Sequence, residues 1–331
     1  MPLLDVKNLS VVYPTRAGKF TAVRDVTFSV DPGEILGIVG ESGAGKSTIS
    51  TAITRLIDYP GYIESGTANL AGTDLMSLSE DAMMKVRGKR IGVIFQDPLT
   101  ALNPVLTVGF QIMETVHLHL GLSGDALKAR AVDLLRQVGI PDPEHRISQY
   151  PHQFSGGMRQ RVVIAIALAG EPELLLADEP TTALDVSIQS EILDLIKNLC
   201  RDKQLGVILI THDMAVINEV TDRVAVMLHG RMIEVDETAN IINRPRHQYT
   251  QSLIAAVPRT DVKLERFELV HASAEAETLS TTETMSRRLT WFDGLARAAD
   301  RDDALVAVEN ISVEFIKTKG ILKRFNTYFR A

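Results

Sequence analysis

Apolar and polar positions follow two rhythms along this chain, and the change of rhythm divides it into regions. Four short, almost unbroken apolar runs have the length of strands buried on both faces. They are Ile35-Leu36-Gly37-Ile38-Val39, Ile91-Gly92-Val93-Ile94-Phe95, Leu174-Leu175-Leu176-Ala177 and Val207-Ile208-Leu209-Ile210. Residues 3 to 30 read as strands flanking a turn at residues 14 to 19, a β-rich layer ahead of the first run. Residues from about 104 to 168 are helix-patterned with few β signals, which predicts an inserted helical subdomain. Residues 173 to 235 return to strands alternating with helices, so the expected fold class is α/β with a mostly parallel sheet.

The loop after the first run changes this from a fold prediction to a chemical one. Gly40-Glu41-Ser42-Gly43-Ala44-Gly45-Lys46-Ser47-Thr48 reads G-x-x-x-x-G-K-S between a strand and a helical pattern. Glycines there let backbone N–H groups converge on phosphate oxygens, and a helix opening near Lys46 adds its positive end. Lys46 is placed to reach the terminal phosphates and the Ser47 hydroxyl to ligand Mg²⁺, so the chain is expected to bind a nucleoside triphosphate.

The other strand ends supply groups for handling water. Leu174 to Ala177 lead into Asp178 and Glu179, where a buried strand emerges at a ligand crevice. Asp178 is expected to hold Mg²⁺, directly or through water, and Glu179 to act as general base. The run ending at Ile210 is followed by Thr211-His212-Asp213, and His212 could bond the γ-phosphate and orient Glu179 or the water. Gln96 follows the run ending at Phe95; its amide could complete the Mg²⁺ shell and report γ-phosphate occupancy. Ser155-Gly156-Gly157, before an apolar helical stretch at 162 to 168, offers a second set of helix-start donors for phosphate. Two cradles in one chain make sense if each serves a different subunit's ATP.

Composition narrows the classes. The 331 residues are 45% hydrophobic and 23% charged, enough for a sizeable core and about two domains. A net charge of -7 argues against a generic nucleic-acid binder. No apolar run approaches the roughly 18 residues that cross a bilayer, so a membrane role is expected through a partner. The single cysteine, Cys200, excludes an intramolecular disulfide and suits a reducing cytoplasm.

The motifs in order are the phosphate loop, Gln96, Ser155-Gly156-Gly157, Asp178-Glu179, Ala183-Leu184-Asp185 and His212. This order resembles the nucleotide-binding domain of an ABC ATPase over residues 3 to 257. The resemblance implies a P-loop NTPase with a RecA-like core sheet, an antiparallel β layer and a helical subdomain. It also implies a head-to-tail dimer, with a second ABC domain, that sandwiches two ATPs. Carried over by position, Tyr13 would stack on adenine, Gln96 forms the Q-loop, and Ser155, Gly156 and Gly157 face the partner's ATP. Asp185 would be the D-loop acid and His212 the switch histidine. Phe154 and Met158 replace the commonest first and last signature residues. With Arg159-Gln160-Arg161, Leu102-Asn103-Pro104 and Arg246-His247-Gln248-Tyr249-Thr250, they resemble importers of oligopeptides, dipeptides, nickel and glutathione. Gln248 stands where that group usually has proline. Integral membrane permeases, an indirect periplasmic solute-binding protein and a peripheral place on the cytoplasmic side of the inner membrane are implied partners and location. A coupling helix of the permease is expected in the groove between core and helical subdomain. His117 and His119 in the helical part are read as surface packing.

After Pro258 the pattern weakens. Residues 258 to 303 read as a linker, polar and acidic from Ala272 to Thr284 and lacking cysteines for an iron–sulfur cluster. Residues 304 to 331 read as the start of a truncated second ABC domain. Val308-Glu309-Asn310-Ile311-Ser312-Val313-Glu314-Phe315 echoes Val6-Lys7-Asn8-Leu9-Ser10-Val11-Val12-Tyr13. That strand is expected to lack a sheet of its own. The alternative function is a soluble tandem ABC ATPase acting on ribosomes or nucleic acid, which would call for a basic linker.

Overall fold

A long antiparallel hairpin opens the chain. The computed structural model describes residues 2–182, 184–255, 314–318 and 326–330. In it β1 (Leu4–Thr15) and β2 (Gly18–Val30) pair to the tip, with Thr15 opposite Gly18 and Tyr13 opposite Phe20. The turn is therefore Arg16-Ala17, tighter than the expected residues 14 to 19. Pro14 fits inside β1 because pairing with the strand on its other side stops at Val12, so no ladder donor is needed from it there.

The chain then enters the main sheet through β3 (Ile35–Val39), buried at every position, and passes a loop into α1 (Lys46–Ile53). Two further strands, β4 (Tyr62–Leu70) and β5 (Thr73–Asp74), return to the hairpin and complete a four-stranded sheet of order β2-β1-β4-β5. The helix α2 (Glu80–Val86), capped by the Ser79 hydroxyl, leads to β6 (Ile91–Ile94). Helices follow: α3 (Pro98–Ala101), α4 (Val108–Leu120), α5 (Gly124–Gln137), α6 (Pro143–Arg146) and α7 (Gly156–Leu168). After them come β7 (Leu174–Asp178), α8 (Val186–Lys203), β8 (Gly206–Thr211), α9 (Met214–Val220) and β9 (Arg223–Leu228). The antiparallel edge strand β10 (Arg231–Glu237), α10 (Thr238–Asn243) and α11 (Gln248–Ala255) close this unit.

The second sheet has the order β10-β9-β3-β8-β7-β6, and every pairing but that of β10 with β9 is parallel. Its aliphatic runs serve two cores by alternation. Leu36, Ile38, Leu174, Leu176, Ile208 and Ile210 face the β1–β5 layer and α1, whereas Leu175, Ala177, Val207 and Leu209 face the helices. Register then decides the site. Val39 stands opposite Thr211, Ile210 opposite Asp178, and Ala177 opposite Ile94. The residues just beyond these strands, Gly40, His212, Glu179 and Gln96, must emerge along one edge of the sheet.

Residues 273 to 331 form a separate unit. Its described part is a hairpin of β11 (Glu314–Thr318) and β12 (Asn326–Arg330), with Phe315 opposite Phe329. The end of the expected orphan strand thus has a partner, which satisfies one row of its backbone groups. The rest of the echo, residues 308 to 313, and the expected linker, residues 258 to 303, lie outside the described residues.

Candidate active site

Two glycines explain how the loop after β3 reaches its shape. Gly45 has φ 96°, and a Cβ on it would lie 2.4 Å from the Ala22 carbonyl oxygen. At Gly40 the Met227 carbonyl oxygen would sit 2.3 Å from such a Cβ. Only glycine lets the loop pass that close to β2 and β9. Gly45 also caps α1 without a side-chain acceptor, leaving the first-turn amides available to an anion. From behind, the Glu41 amide donates to the Tyr249 hydroxyl at 3.0 Å, so α11 braces the loop.

Lys46 is only 6% exposed, and its ammonium donates to the Gly40 and Glu41 carbonyl oxygens, each at 2.8 Å. Burial lowers its pKa, against the pull of Glu179, Asp178 and Glu41. The Ser47 hydroxyl donates to Asp178 Oδ1 at 3.0 Å, tying the helix start to the end of β7.

Glu179 follows directly and has φ 46°, an unusual conformation for a residue with a Cβ. Its amide donates to the Ile210 carbonyl at 2.9 Å, which holds the turn in place. The carboxylate then meets three partners: Gln96 Nε2 at 2.9 Å and Thr182 Oγ1 at 2.9 Å on Oε2, and His212 Nδ1 at 3.0 Å on Oε1. Burial pulls its pKa upward, but the hydrogen bonds from His212 and Thr182, with the charges of His212 and Lys46, outweigh that and lower it. Asp178 moves the other way: burial raises its pKa more than Ser47 and Lys46 lower it, and the charge of Glu179 adds to the rise. Two adjacent carboxyls are thus set apart, with Glu179 the one held ionised and able to take a proton.

Lys46, Ser47, Gln96 and Glu179 line a cavity of about 440 Å³, a size that suits a small-molecule ligand. Asp178 and His212, bonded to Ser47 and Glu179, stand at its edge but outside the lining. Ser42, Gly43 and residues 45–48 supply its phosphate-loop wall, Gln96 and Glu179 its chemical end, and Tyr13, Phe20 and Ala22 its contribution from the β layer. Tyr13 is half-buried and packs against the β1–β5 core.

The structure separates the remaining sequence candidates from this cavity. Ser155 caps α7 by accepting from the Met158 amide, and Gly157 packs against Ile188, where a Cβ would meet Ile188 Cγ2 at 2.4 Å. Asp185 caps α8 by accepting from the Ile188 amide at 3.0 Å and the Ser187 hydroxyl at 2.9 Å. Ser155, Gly156, Gly157 and Asp185 therefore cluster around the first turn of α8, and none lines the cavity. His117 Nδ1 pairs with the Leu122 carbonyl oxygen at 2.8 Å, whereas His119 packs over Gly88, whose added Cβ would meet it at 2.4 Å.

Sequence reasoning missed Phe20, Thr182 and the brace by Tyr249. The one available signal was an aromatic at the strand start of β2, just after the turn.

Comparison with known proteins places the chain in a family. The ABC transporter family model matches residues 23–182, and that of the oligopeptide/dipeptide transporter C-terminal region matches residues 233–283. The latter overlaps the segment read as a linker from residue 258. The oligopeptide transport ATP-binding protein OppD of Bacillus subtilis (strain 168) is 54% identical over 257 residues, covering 77% of this chain and 72% of that protein. The dipeptide transport ATP-binding protein DppD of Escherichia coli (strain K12) is 48% identical over 266 residues, 80% of this chain and 81% of that one. Among solved structures, the dimeric post-hydrolysis state of the ATP-binding cassette MJ0796 bound to ADP and Pi superposes with a TM-score of 0.64. It is 29% identical and covers 71% of this chain and 98% of the other. A strand-fed phosphate loop, an ionised carboxylate beside it and relatives near half identity agree: the chain belongs to the ABC transporter ATP-binding proteins, an ATPase subunit of the group with the oligopeptide/dipeptide transporter C-terminal region.

Proposed function

We propose that this subunit hydrolyses ATP to drive uptake of peptides or a related small solute, such as a dipeptide, an oligopeptide, glutathione or nickel, through partner permeases. The observation that carries the mechanism is the meeting of Gln96, Glu179 and His212 at the end of a phosphate-loop cavity. Lys46 and the first-turn amides of α1 hold the phosphates. Glu179 takes the proton of the attacking water, and His212 and Gln96 hold its carboxylate in place.

The residues present fit Mg²⁺. Ser47 Oγ and Asp178 Oδ1 lie 3.0 Å apart as hard oxygen donors, and Gln96, whose amide nitrogen bonds Glu179, would offer its oxygen as a third. Among the described residues no group of three or more His, Cys, Asp or Glu is gathered as a metal cage. That suits an ion held by few protein ligands together with substrate phosphates. When bound, Mg²⁺ neutralises charge developing on the phosphates.

Two features support an assembly at a membrane. No described helix is long and apolar enough to cross a bilayer, so contact with the membrane would come through permeases, on the cytoplasmic side of the inner membrane. Phe95, Leu99, Val105 and Phe110, all exposed, lie between the end of β6 and the first turn of α4, where an apolar partner helix could dock beside the chemistry. A periplasmic solute-binding protein would act indirectly. The Ser155–Gly157 and Asp185 cluster, which does not line the chain's own cavity, supports a second ABC domain closing over ATP. The hairpin of β11 and β12 supports reading residues 304–331 as the start of such a domain.

Purification of the Glu179→Gln protein from detergent-solubilised native membranes tests the proposal. Two polytopic permeases should accompany it; ribosomal or nucleic-acid-binding proteins without permeases would overturn the importer reading.

A further inference from the structure

We infer that Phe20 is a second nucleobase-stacking ring, forming with Tyr13 the base subsite of the cavity; the inference rests on the ATPase reading of that cavity. Phe20 is 57% exposed although it lies within a paired strand. Leaving a large aromatic in water forgoes burial that a ligand could supply.

Its position lies farther along β2 from the phosphate loop than Ala22 does. The Ala22 carbonyl touches the phosphate loop at Gly45, and Ala22 and Phe20 both line the cavity. Two residues along a strand span roughly 7 Å. A triphosphate held by Gly43 to Thr48 would therefore carry its base toward Phe20.

Tyr13 and Phe20 are direct cross-strand partners, so their rings share one face of the hairpin. Lys19, on the opposite face, pairs with Glu64 at 3.1 Å and lies 6.0 Å from the Tyr62 ring centroid. The two aromatics differ in freedom. A Cβ on Gly61 would lie 2.5 Å from Tyr13 Cε1, so one edge of Tyr13 rests on backbone. Tyr13 is the wall of the subsite, and Phe20 is the ring free to lie against a base.

Calorimetric titration with ATP and with inorganic tripolyphosphate separates base from phosphate recognition. Phe20→Ala should bind ATP about ten-fold more weakly and tripolyphosphate as the parent does. Phe20→Tyr should restore ATP binding, whereas Phe20→Leu, with bulk but no ring, should not. The sequence contains one tryptophan, so Phe20→Trp adds a local reporter whose emission ATP should quench and tripolyphosphate should not. Unchanged ATP affinity in Phe20→Ala, or an equal loss for both ligands, would overturn the subsite. A parent chain that binds neither ligand would overturn the nucleotide reading beneath it.

Discussion

The starts of α1 and α7 are built from similar text, glycine and small polar residues opening a helix, yet their surroundings differ. At α1 the cap is Gly45 with no side-chain acceptor, and Lys46, Asp178, Glu179 and Gln96 surround it. At α7 Ser155 already satisfies the Met158 amide, and its neighbours are Leu184, Ile188 and the capping Asp185. A helix start grips phosphate when a charge, a metal-binding oxygen pair and a base are gathered beside it. One without them is half a site, and on the function proposed above it would be completed by the nucleotide of another domain.

The largest effect should come from removing chemistry at α1 alone. Glu179→Gln keeps the shape and the cradle but loses the proton acceptor, so kcat should fall by about 10² to 10⁴ while ATP still binds. Steady-state turnover beside equilibrium ATP binding checks it; undiminished turnover would remove Glu179 from its role.

A smaller effect should follow from loosening the brace that Tyr249 places on the loop before α1. Tyr249→Phe leaves the Glu41 amide without its acceptor, at about 1 kcal/mol, or roughly five-fold weaker ATP binding. Equal ATP affinity in this variant would show that the loop holds its shape unaided.

The smallest concerns the far end of α8, whose first turn meets the α7 start. Cys200 is buried, its thiol donates to the Leu205 carbonyl at 3.0 Å, and burial pushes its pKa up to about 11. The folded state thus disfavours the thiolate, and alkylation should stay slow at pH 8 and accelerate only toward pH 11 or on unfolding. Rapid alkylation at pH 8 would mean that α8 opens readily.

Much of this contrast was legible in the text because it is local. Gly40 to Thr48 and Asp178-Glu179 announce themselves through neighbours in sequence, and the aliphatic runs before them fixed where strands end. The pairs that decide chemistry are remote. Gln96 and Glu179 are separated by 83 positions, and Glu41 and Tyr249 by 208. Periodicity carries no information about which strand lies beside which, so the Gln96–Glu179 contact emerged only from the order β3-β8-β7-β6 and its register, and the Glu41–Tyr249 contact only from the packing of α11 behind the loop. Phe20 was hidden for a different reason: an aromatic in a strand usually reads as core, and only its exposure marks it as a ligand surface.

The most direct test of the division between the two helix starts is ATP binding by the isolated chain in two variants. Gly156 has room for a side chain, since its Cβ would meet nothing closer than Leu184 Cδ2 at 3.8 Å. An aspartate there also suits a helix N-terminus. Lys46→Ala should weaken ATP binding ten-fold or more, in the range of about 1.5 to 3 kcal/mol for a charged hydrogen-bond donor. Gly156→Asp should bind ATP as the parent does. A matching loss in Gly156→Asp would mean that α7 serves the chain's own nucleotide, and would contradict the account.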